Sequence, residues 1–313
     1  MSEAVALGID LGGTKIEALL LGADGGERWR VRVPTPTTGY HDTLAALHDV
    51  VAAARTASGG QDFTIGIGTP GSLTPAGLLK NANSTCLNGQ PLQRDLEAGL
   101  GAPVRIANDA NCLALSEATD GAGAGADVVF AVILGTGTGA GIAVHGRVLG
   151  GPNALAGEWG HNPLPWAVAG SDPQPACYCG RAGCLETLLS GPGMARDHER
   201  HGGQTHSAEQ IAAAAHAGDA ACRATLDRHA SRLARALAGV INLLDPDVIV
   251  LAGGLSRMAH LYTQVPAQWG EWVFAAGAKG QAVRTRLLPS RHGDASGVRG
   301  AAWLWRQGGA TSA

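Results

Sequence analysis

The sequence lacks the excess of positive charge that nucleic-acid-binding proteins use. It has 23 lysine and arginine residues against 26 aspartate and glutamate residues, a formal net charge of −3 at pH 7, and its basic residues are spread along the chain. Clustered lysine and arginine side chains supply most of the affinity for a phosphate backbone. We therefore do not expect nucleic acid to be a partner.

Long hydrophobic runs are also lacking. No apolar stretch approaches the ~20 residues that a helix needs to cross a bilayer. The start, MSEAVALGID, has neither the basic flank nor the cleavage pattern of a secretory signal and leads directly into a strand-like run. The expected location is the cytoplasm, with no membrane partner.

Short strand-like runs that lead into helical stretches are the main pattern of the 313 residues, a length that suits two domains. These runs end in glycine or an acidic residue and cover residues 5–10, 63–68, 104–109, 128–134 and 248–251. Such alternation predicts an α/β fold. Helices are predicted at residues 41–57, 211–217 and 225–244, and a loop rich in proline and glycine at 163–175.

An acidic residue and two glycines follow the first strand-like run. Gly12 and Gly13 allow a tight turn whose N–H groups face an anion such as phosphate. Thr14 and Lys15 would add donors, and Asp10 would hold a magnesium ion directly or through water. The alternative is an ordinary hairpin turn, because Gly-Gly pairs are common between strands.

A second turn, in the middle of the chain, has glycine at every other position: Gly135, Thr136, Gly137, Thr138 and Gly139. Alternating glycine keeps side chains away from an approaching phosphate. The spacing is neither that of a Walker loop nor that of the dinucleotide fingerprint, which disfavours P-loop and Rossmann folds. Close strand packing is the alternative, but two such turns together favour phosphate binding and suggest duplicated lobes.

Two further motifs follow strand-like runs. Gly253-Gly254 would let a flat adenine ring approach the backbone. Asn108-Asp109 joins a strand to a helical run, and Asp109 is a candidate general base for a hydroxyl group that attacks a phosphoryl group. The alternative is that Asp109 only caps the helix, because aspartate is a preferred N-cap residue.

Three of the six cysteines, Cys177, Cys179 and Cys184, crowd into eight positions, with His161 nearby. Three thiolates and one imidazole complete the four-ligand shell of a structural zinc site, with no open position for catalysis. A disulfide would leave the third cysteine unpaired, and a redox pair would not need the histidine. Zinc is therefore the favoured interpretation.

Glu158 and Glu186 flank these ligands, so a metal would fix two carboxylates in one small region. Carboxylates are natural acceptors for sugar hydroxyl groups. The alternative is that both are solvated surface acids.

Together, LGIDLGGTK, GIGTPG, NDANC, LGTGTGAG, EWGH, CYCGRAGCLE and LAGGLS resemble the ROK family of bacterial sugar kinases, from residue 5 to about residue 305. The stretches KNANSTCLNGQPL, AGEWGHNPLPW and RHGDASGVRGAAWLW are more similar to the fructokinase (manno-fructokinase) branch than to the glucokinase or N-acetylglucosamine kinase branches. The resemblance implies a two-lobed actin-like ATPase (ribonuclease H-like) fold with ATP in the cleft between lobes. Residues 1–112 plus 296–313 would form the smaller lobe, and residues 113–295 the larger, zinc-bearing lobe.

The resemblance also implies roles for the motif residues. Asp109 would be the catalytic base, the glycine-rich turns would surround the ATP phosphates with Mg²⁺, and His161 would serve both zinc and sugar. The other residues expected around the sugar are Asn83, Asn108, Glu158 and Glu186. Members of the family are often homodimers, and a C-terminal helix, here about residues 297–307, commonly returns to the first lobe.

The expected activity is that of an ATP:hexose 6-phosphotransferase that converts fructose to fructose 6-phosphate. The alternatives are a glucokinase, an N-acetylglucosamine or mannose kinase of the same family, and a non-catalytic sugar sensor. ROK repressors, which bind DNA, carry a helix-turn-helix before the first strand. We do not expect a repressor, since only a few residues precede residue 5.

Overall fold

The computed structural model describes residues 5–82, 84–274 and 282–308, which form two α/β units. Within the described residues, the first unit contains the chain up to Gly125, Gly141–Gly157 and the chain from Asp294 onward. The second contains Ala126–Ala140 and Glu158–Gly293. The strands are β1 (Val5–Leu11), β2 (Lys15–Leu21), β3 (Glu27–Pro34), β4 (Phe63–Thr69), β5 (Ser72–Leu73), β6 (Leu79–Lys80), β7 (Val104–Asn108), β8 (Val128–Leu134), β9 (Thr138–Val144), β10 (Arg147–Val148), β11 (Val248–Ala252) and β12 (Arg286–Pro289). The helices are α1 (Tyr40–Ala57), α2 (Leu92–Leu100), α3 (Asp109–Thr119), α4 (Leu185–Leu189), α5 (Gly191–Arg200), α6 (Ala208–His216), α7 (Ala220–Leu244), α8 (Leu261–Trp272) and α9 (Ser296–Trp303).

The first sheet has the strand order β3-β2-β1-β4-β7. β1 pairs antiparallel with β2 and parallel with β4, which in turn pairs parallel with β7. Leu7 and Ile9 of β1 are fully buried in a core shared with α1 and α2. Because β1, β4 and β7 run in the same direction, Asp10, Thr69 and Asn108 come at the same edge of this sheet.

The second sheet has the order β10-β9-β8-β11-β12, in which β8, β11 and β12 are parallel. This order repeats that of the first sheet: an antiparallel meander followed by strands added in parallel on the other side. The repetition supports the duplication that the two glycine-rich turns suggested.

Three of the strand-like runs lead into further strands and not directly into helices. The run at residues 5–10 becomes β1 and is followed by β2 and β3, the run at 63–68 becomes β4 and is followed by β5 and β6, and the run at 128–134 becomes β8 and is followed by β9. The expectation of a helix after each run is wrong at these three places, and after β1 and β8 the reason is that the glycine-rich segments form tight turns.

The C-terminal helix α9 lies in the first unit, on the sheet. Two glycines allow its close approach: a Cβ at Gly8 would lie 2.0 Å from the carbonyl oxygen of Val298, and a Cβ at Gly66 would lie 1.9 Å from that of Ala301. Any larger residue at either position would push the helix away from the sheet.

The lobe bounds expected from the sequence stay a prediction. In the structure, residues 113–125, 141–157 and 294–295 lie in the first unit. The reason is that α3 packs against α9 and also contacts β10. Among the described helices, none combines the length and apolar character needed to span a bilayer.

Candidate functional site

The turn between β1 and β2 is a tight hairpin. The N–H of Gly12 donates to the carbonyl of Lys15 (3.0 Å), and the hydroxyl of Thr35 donates to the carbonyl of Gly12 (2.7 Å). Gly13 and Thr14 are exposed at its tip. The sequence left open a hairpin or a phosphate site, and a hairpin with an exposed tip is compatible with both.

Asp10 and Asp109 are close enough for their charges to interact. Burial and the negative charges of Asp109 and Glu17 raise the pKa of Asp10 to about 6, against a smaller opposing effect of Lys15. Lys15 itself forms an ion pair with Glu17, with 3.5 Å between Nζ and Oε2. Two ionised carboxylates that lie close together repel each other, and a divalent cation held by Asp10 would offset that repulsion. The surroundings of Asp10 therefore fit the magnesium ion predicted for it.

Asn108, and not Asp109, is the N-cap residue of α3. Asn108 has an extended backbone conformation, and its side-chain oxygen accepts from the N–H of Ala110 (2.9 Å), while its side-chain nitrogen donates to the carbonyl of Gly71 (3.0 Å). Asp109 is the first helical residue, and its Oδ1 also accepts from Ala110 (2.8 Å). Capping therefore does not account for the carboxylate of Asp109, and the alternative that the sequence offered for it is wrong.

The predicted sugar residue Asn83 lies outside the described residues.

The second glycine-rich turn contacts Glu186. The N–H of Thr138 donates to Oε2 of Glu186 (3.0 Å), and a Cβ at Gly137 would lie 2.7 Å from the same oxygen. The N–H of Gly135 donates to the carbonyl of Gly137 (3.0 Å), which closes the turn and leaves Thr136 exposed. A residue predicted to bind sugar is thus held by a turn predicted to bind phosphate. Gly139, the remaining predicted residue of this motif, lies in β9.

Gly253 has a structural reason to be glycine. Its φ is 83°, and a Cβ there would lie 2.5 Å from the carbonyl oxygen of Leu134 at the end of β8. Gly254 begins a 3₁₀ turn, Gly254–Arg257. Close packing explains the first glycine of this pair, and an adenine contact stays a prediction for both.

The four predicted zinc ligands, His161, Cys177, Cys179 and Cys184, converge. Their ligand atoms lie within 4.8 Å of one another, with 3.6 Å between Nδ1 of His161 and Sγ of Cys177 and 3.6 Å between Sγ of Cys179 and Sγ of Cys184. A tetrahedral zinc ion with bonds of about 2.3 Å to sulfur places its sulfur ligands about 3.8 Å apart. The cysteines are free thiols rather than a disulfide. The donor set and its spacing therefore fit zinc.

Backbone contacts also position the segments that carry the predicted zinc ligands. The N–H of Cys177 donates to the carbonyl of Arg181 (2.7 Å), and Gly180 and Gly183 take the left-handed conformation with φ of 87° and 73°. The N–H of Leu185 donates to the carbonyl of Asn162 (2.9 Å), which joins the cysteine segment to the segment of His161. The glycines therefore serve the sharp turns for which the sequence motif needs them.

The two predicted sugar carboxylates come from these same segments. Glu158 is exposed and directly precedes the 3₁₀ turn Trp159–His161. Glu186 lies in the first turn of α4, two residues after Cys184. The segments of the predicted zinc ligands thus carry both carboxylates, and Glu186 is more than a solvated surface acid because Thr138 donates to it.

A buried ion network that sequence reasoning missed ties down the loop between His161 and Cys177. Arg232 of α7 donates to Asp172 of this loop (Nε to Oδ1, 2.9 Å) and to Asp197 of α5 (Nη1 to Oδ1, 2.8 Å), and the three side chains are 2–4% exposed. Burial raises the pKa of Asp172, but hydrogen bonds from Arg235, the N–H of Val168 and Arg232 outweigh it and lower that pKa to about 2. Asp172 therefore holds the loop as an ionised carboxylate.

Known proteins match this chain over nearly its whole length. The model of the ROK family matches residues 6–308. The N-acetyl-D-glucosamine kinase of Pectobacterium atrosepticum is 40% identical over 302 residues, which cover 95% of this chain and 97% of that protein.

Two solved structures extend the comparison. A ROK hexokinase from Thermus thermophilus matches with a TM-score of 0.82 and 31% identity, over 96% of this chain and 97% of its own. A ROK family glucokinase from Streptomyces griseus, solved in complex with glucose and AMPPNP, matches with a TM-score of 0.74 and 28% identity, over 97% and 100% of the two chains.

These matches identify both the fold and the family of the chain. The fold is the actin-like α/β fold of the ROK sugar kinases, and the fold class predicted from the sequence is confirmed. The chain belongs to the ROK family.

Proposed function

We propose that this protein is an ATP-dependent sugar kinase that phosphorylates the 6-hydroxyl group of a hexose. The observation that carries the proposal is the pair of carboxylates, Asp10 and Asp109, whose charges interact at the carboxyl edge of the first sheet. Phosphoryl transfer needs a cation for the phosphates and a base for the attacking hydroxyl group, and this pair offers one carboxylate for each task.

In the proposed reaction, Asp109 accepts the proton of the sugar 6-hydroxyl. The hydroxyl oxygen forms a bond to the γ-phosphorus of ATP while the bond to the β,γ-bridging oxygen breaks, which gives ADP and the sugar 6-phosphate. A magnesium ion held by Asp10 would neutralise phosphate charge. Because Asn108 caps α3, the carboxylate of Asp109 is not needed as the cap. The first turn of the helix holds Asp109 in position.

The sugar contacts are proposed for Glu158, His161, Glu186, Asn108 and Asn83. Glu186 is supported by its hydrogen bond from Thr138, which fixes one oxygen and leaves the other for a sugar hydroxyl. Asn108 is supported by its fixed orientation: one amide hydrogen goes to Gly71, and the nitrogen carries a second. The remaining residues are proposed from the family motif.

N-acetylglucosamine is the substrate that the relatives favour. Several N-acetyl-D-glucosamine kinases are 38–40% identical to the chain over about 95% of its length. This supports the alternative drawn from the sequence better than the fructokinase branch, whose specificity for fructose the comparisons do not support. Fructose, glucose and mannose are the competing substrates.

Release of ADP from magnesium-ATP with purified protein tests the proposal. The panel is N-acetylglucosamine, glucose, mannose and fructose, and we expect the highest kcat/KM for N-acetylglucosamine. Asp109→Asn should lower kcat by about 10²-fold or more while sugar binding persists, because it removes the base and little volume. The exposed Asp62→Asn is the matched control and should leave kcat unchanged.

Turnover of none of the four sugars would rule out the kinase. Near-normal kcat in Asp109→Asn would rule out the base. A clear preference for fructose would return the assignment to the fructokinase branch.

A further inference from the structure

The loop between the predicted zinc ligands His161 and Cys177 is fastened to helix α7 near its middle. Arg235 of α7 donates through Nη1 to the carbonyl oxygen of Trp166 (2.9 Å) and to Oδ2 of Asp172 (2.7 Å). The side chains of Arg235 and Asp172 are only 6% and 3% exposed. One buried guanidinium group therefore holds the loop at two points.

Arg232 of α7 holds the same segment a second time. It donates through Nε to Oδ1 of Asp172 (2.9 Å) and through Nη2 to the carbonyl oxygen of Ser171 (3.0 Å). Within the loop, the N–H of Val168 donates to Oδ2 of Asp172 (2.8 Å), and the N–H of Asp172 donates to the carbonyl oxygen of Val168 (2.9 Å). Residues 166–172 thus form a turn fixed to α7, and we call this turn with its two arginines the arginine clamp.

Two short arms rich in proline join the arginine clamp to the ligands. His161 is followed by Asn-Pro-Leu-Pro before the clamp, and the clamp is followed by Pro-Gln-Pro-Ala before Cys177, so each four-residue arm contains two prolines. Proline fixes its own φ and restricts the residue before it, which makes such arms stiff. A shift of the clamp would therefore be passed on to both ligands.

Each arm is also paired with the cysteine segment. Pro163 of the first arm forms an isolated β-bridge with Cys184. In the second arm, the carbonyl oxygen of Pro175 accepts from the N–H of Gly183 (2.9 Å). The arms therefore connect the arginine clamp to the segment of Cys184 as well as to His161 and Cys177.

We propose that Arg235 and Arg232 are positioning residues of the zinc site, which hold His161 and Cys177 in place before the metal binds and so raise the affinity for zinc. Ligands that are ordered in advance lose less conformational entropy on binding. The inference rests on the predicted zinc site and, for its effect on the sugar, on the proposed function.

Zinc affinity, measured by competition with a chromophoric chelator, tests the inference without any assay of activity. Arg235→Met removes the donors to Trp166 and leaves Asp172 with Arg232 as its partner. We expect the Kd for zinc to rise about tenfold or more, because the loop is no longer fixed before the metal binds.

Arg228→Met is the matched control. Arg228 belongs to the same buried network, but it donates to Asp197 of α5 (Nε to Oδ2, 2.8 Å) and to Thr225 of α7 (Nη2 to Oγ1, 3.0 Å), which lie outside the loop. Asp197 keeps Arg232 as its partner. We expect the Kd for zinc of this variant to stay within about twofold of the wild type.

Pro173→Gly tests the second arm while both arginines stay in place, and it decides the question if Arg235→Met does not fold. Glycine restores the backbone freedom that proline removes. We expect the Kd for zinc to rise about threefold, and an unchanged Kd would show that the arm does not carry the effect of the clamp to Cys177.

The KM for the sugar gives a second measurement, since Glu158 and Glu186 lie on the ligand segments. In Arg235→Met this KM should be raised at limiting zinc and should return to the wild-type value at saturating zinc, because the bound metal then holds the ligands. A KM that stays raised at saturating zinc would mean that the arginine shapes the fold and not the affinity for the metal.

An unchanged Kd for zinc in Arg235→Met would overturn the inference. An equal rise in Arg235→Met and Arg228→Met would overturn it too, because it would reflect a general loosening of the second unit. Wild-type protein that binds no zinc would overturn this inference and leave the kinase standing, whereas turnover of no hexose would overturn the proposed function and leave the zinc measurements valid.

Discussion

Asp10 is a carboxylic acid in a place that penalises its ionised form. Its pKa of about 6 in the folded protein lies above the ordinary 3.8. Between these values the folded state binds the proton more tightly than the unfolded state, so the free energy of unfolding falls as pH rises from about 4 to about 6. The penalty is fully present above pH 6 and amounts to at most about 3 kcal/mol.

We therefore expect Asp10→Asn to raise the thermal midpoint at a pH of about 7.5, measured without magnesium, and to change it little at a pH of about 4. The same variant should lose activity with magnesium-ATP. The exposed Asp62→Asn, which removes an equal charge, should show no such pH dependence. A lower midpoint for Asp10→Asn at both pH values would mean that the carboxylate stabilises the fold.

Neighbouring residues of similar chemistry were the hardest to assign from the sequence. Asn108 and Asp109 are both good N-cap residues, and only the extended backbone of Asn108 (ψ 147°) shows which of them caps α3. By contrast, the convergence of the four metal ligands was predictable, because their residue types and spacing already specify a zinc shell.

Elements with clear local signals were also predictable. The helix predicted at 41–57 is α1 (Tyr40–Ala57), but the helix predicted at 225–244 begins earlier, as α7 (Ala220–Leu244). Its added first turn has no apolar repeat and depends on Asp219, whose side chain accepts from the N–H of Cys222 (2.8 Å). The contact between Glu186 and Thr138 could not be predicted, since it joins residues 48 positions apart through tertiary packing.

Helix α7 contains two buried arginines, which its apolar repeat made easy to overlook in the sequence. Arg232 and Arg235 lie among the apolar residues of the helix, and both are buried. Arg232 joins α7 to α5 through Asp197 and to the loop of the metal site through Asp172. Each carboxylate also has a second arginine partner, Arg235 for Asp172 and Arg228 for Asp197.

We expect Arg232→Met to lower the free energy of unfolding by about 1.5–3 kcal/mol in urea denaturation, because Asp172 and Asp197 each lose a buried charged hydrogen bond but keep one arginine partner. Arg223→Met, at an exposed position of the same helix, is the matched control and should change it by less than about 0.5 kcal/mol. Equal effects of the two substitutions would mean that the network contributes little to stability.

The two sheets of the molecule repeat one strand order, yet among the described residues the cysteine and histidine cluster lies in the second unit alone. The first unit has its carboxylates at Asp10 of β1 and at Asp109, the first residue of α3, and its described residues contain no such cluster. The duplicated scaffold thus accounts for the shared glycine-rich turns, whereas the predicted zinc ligands belong to one copy. The homodimer expected from the family resemblance stays a prediction.

Removal of zinc should therefore affect sugar binding more than ATP binding. The turn at Gly135–Thr138 is held by β8 and β9, whereas the position of Glu186 depends on Cys184 two residues before it, and Glu158 and His161 lie on the other ligand segment. We expect elemental analysis to give one zinc per chain. Chelation should raise KM for the sugar about tenfold or more and KM for ATP by less than about threefold.

Cys179→Ser should have the same effect as chelation. Cys86→Ser, at an exposed cysteine of the first unit, is the control and should have none. If both KM values rose together, the metal would stabilise the whole second unit, including the turn at Gly135–Thr138 that donates to Glu186, and not only the segments predicted to bind sugar.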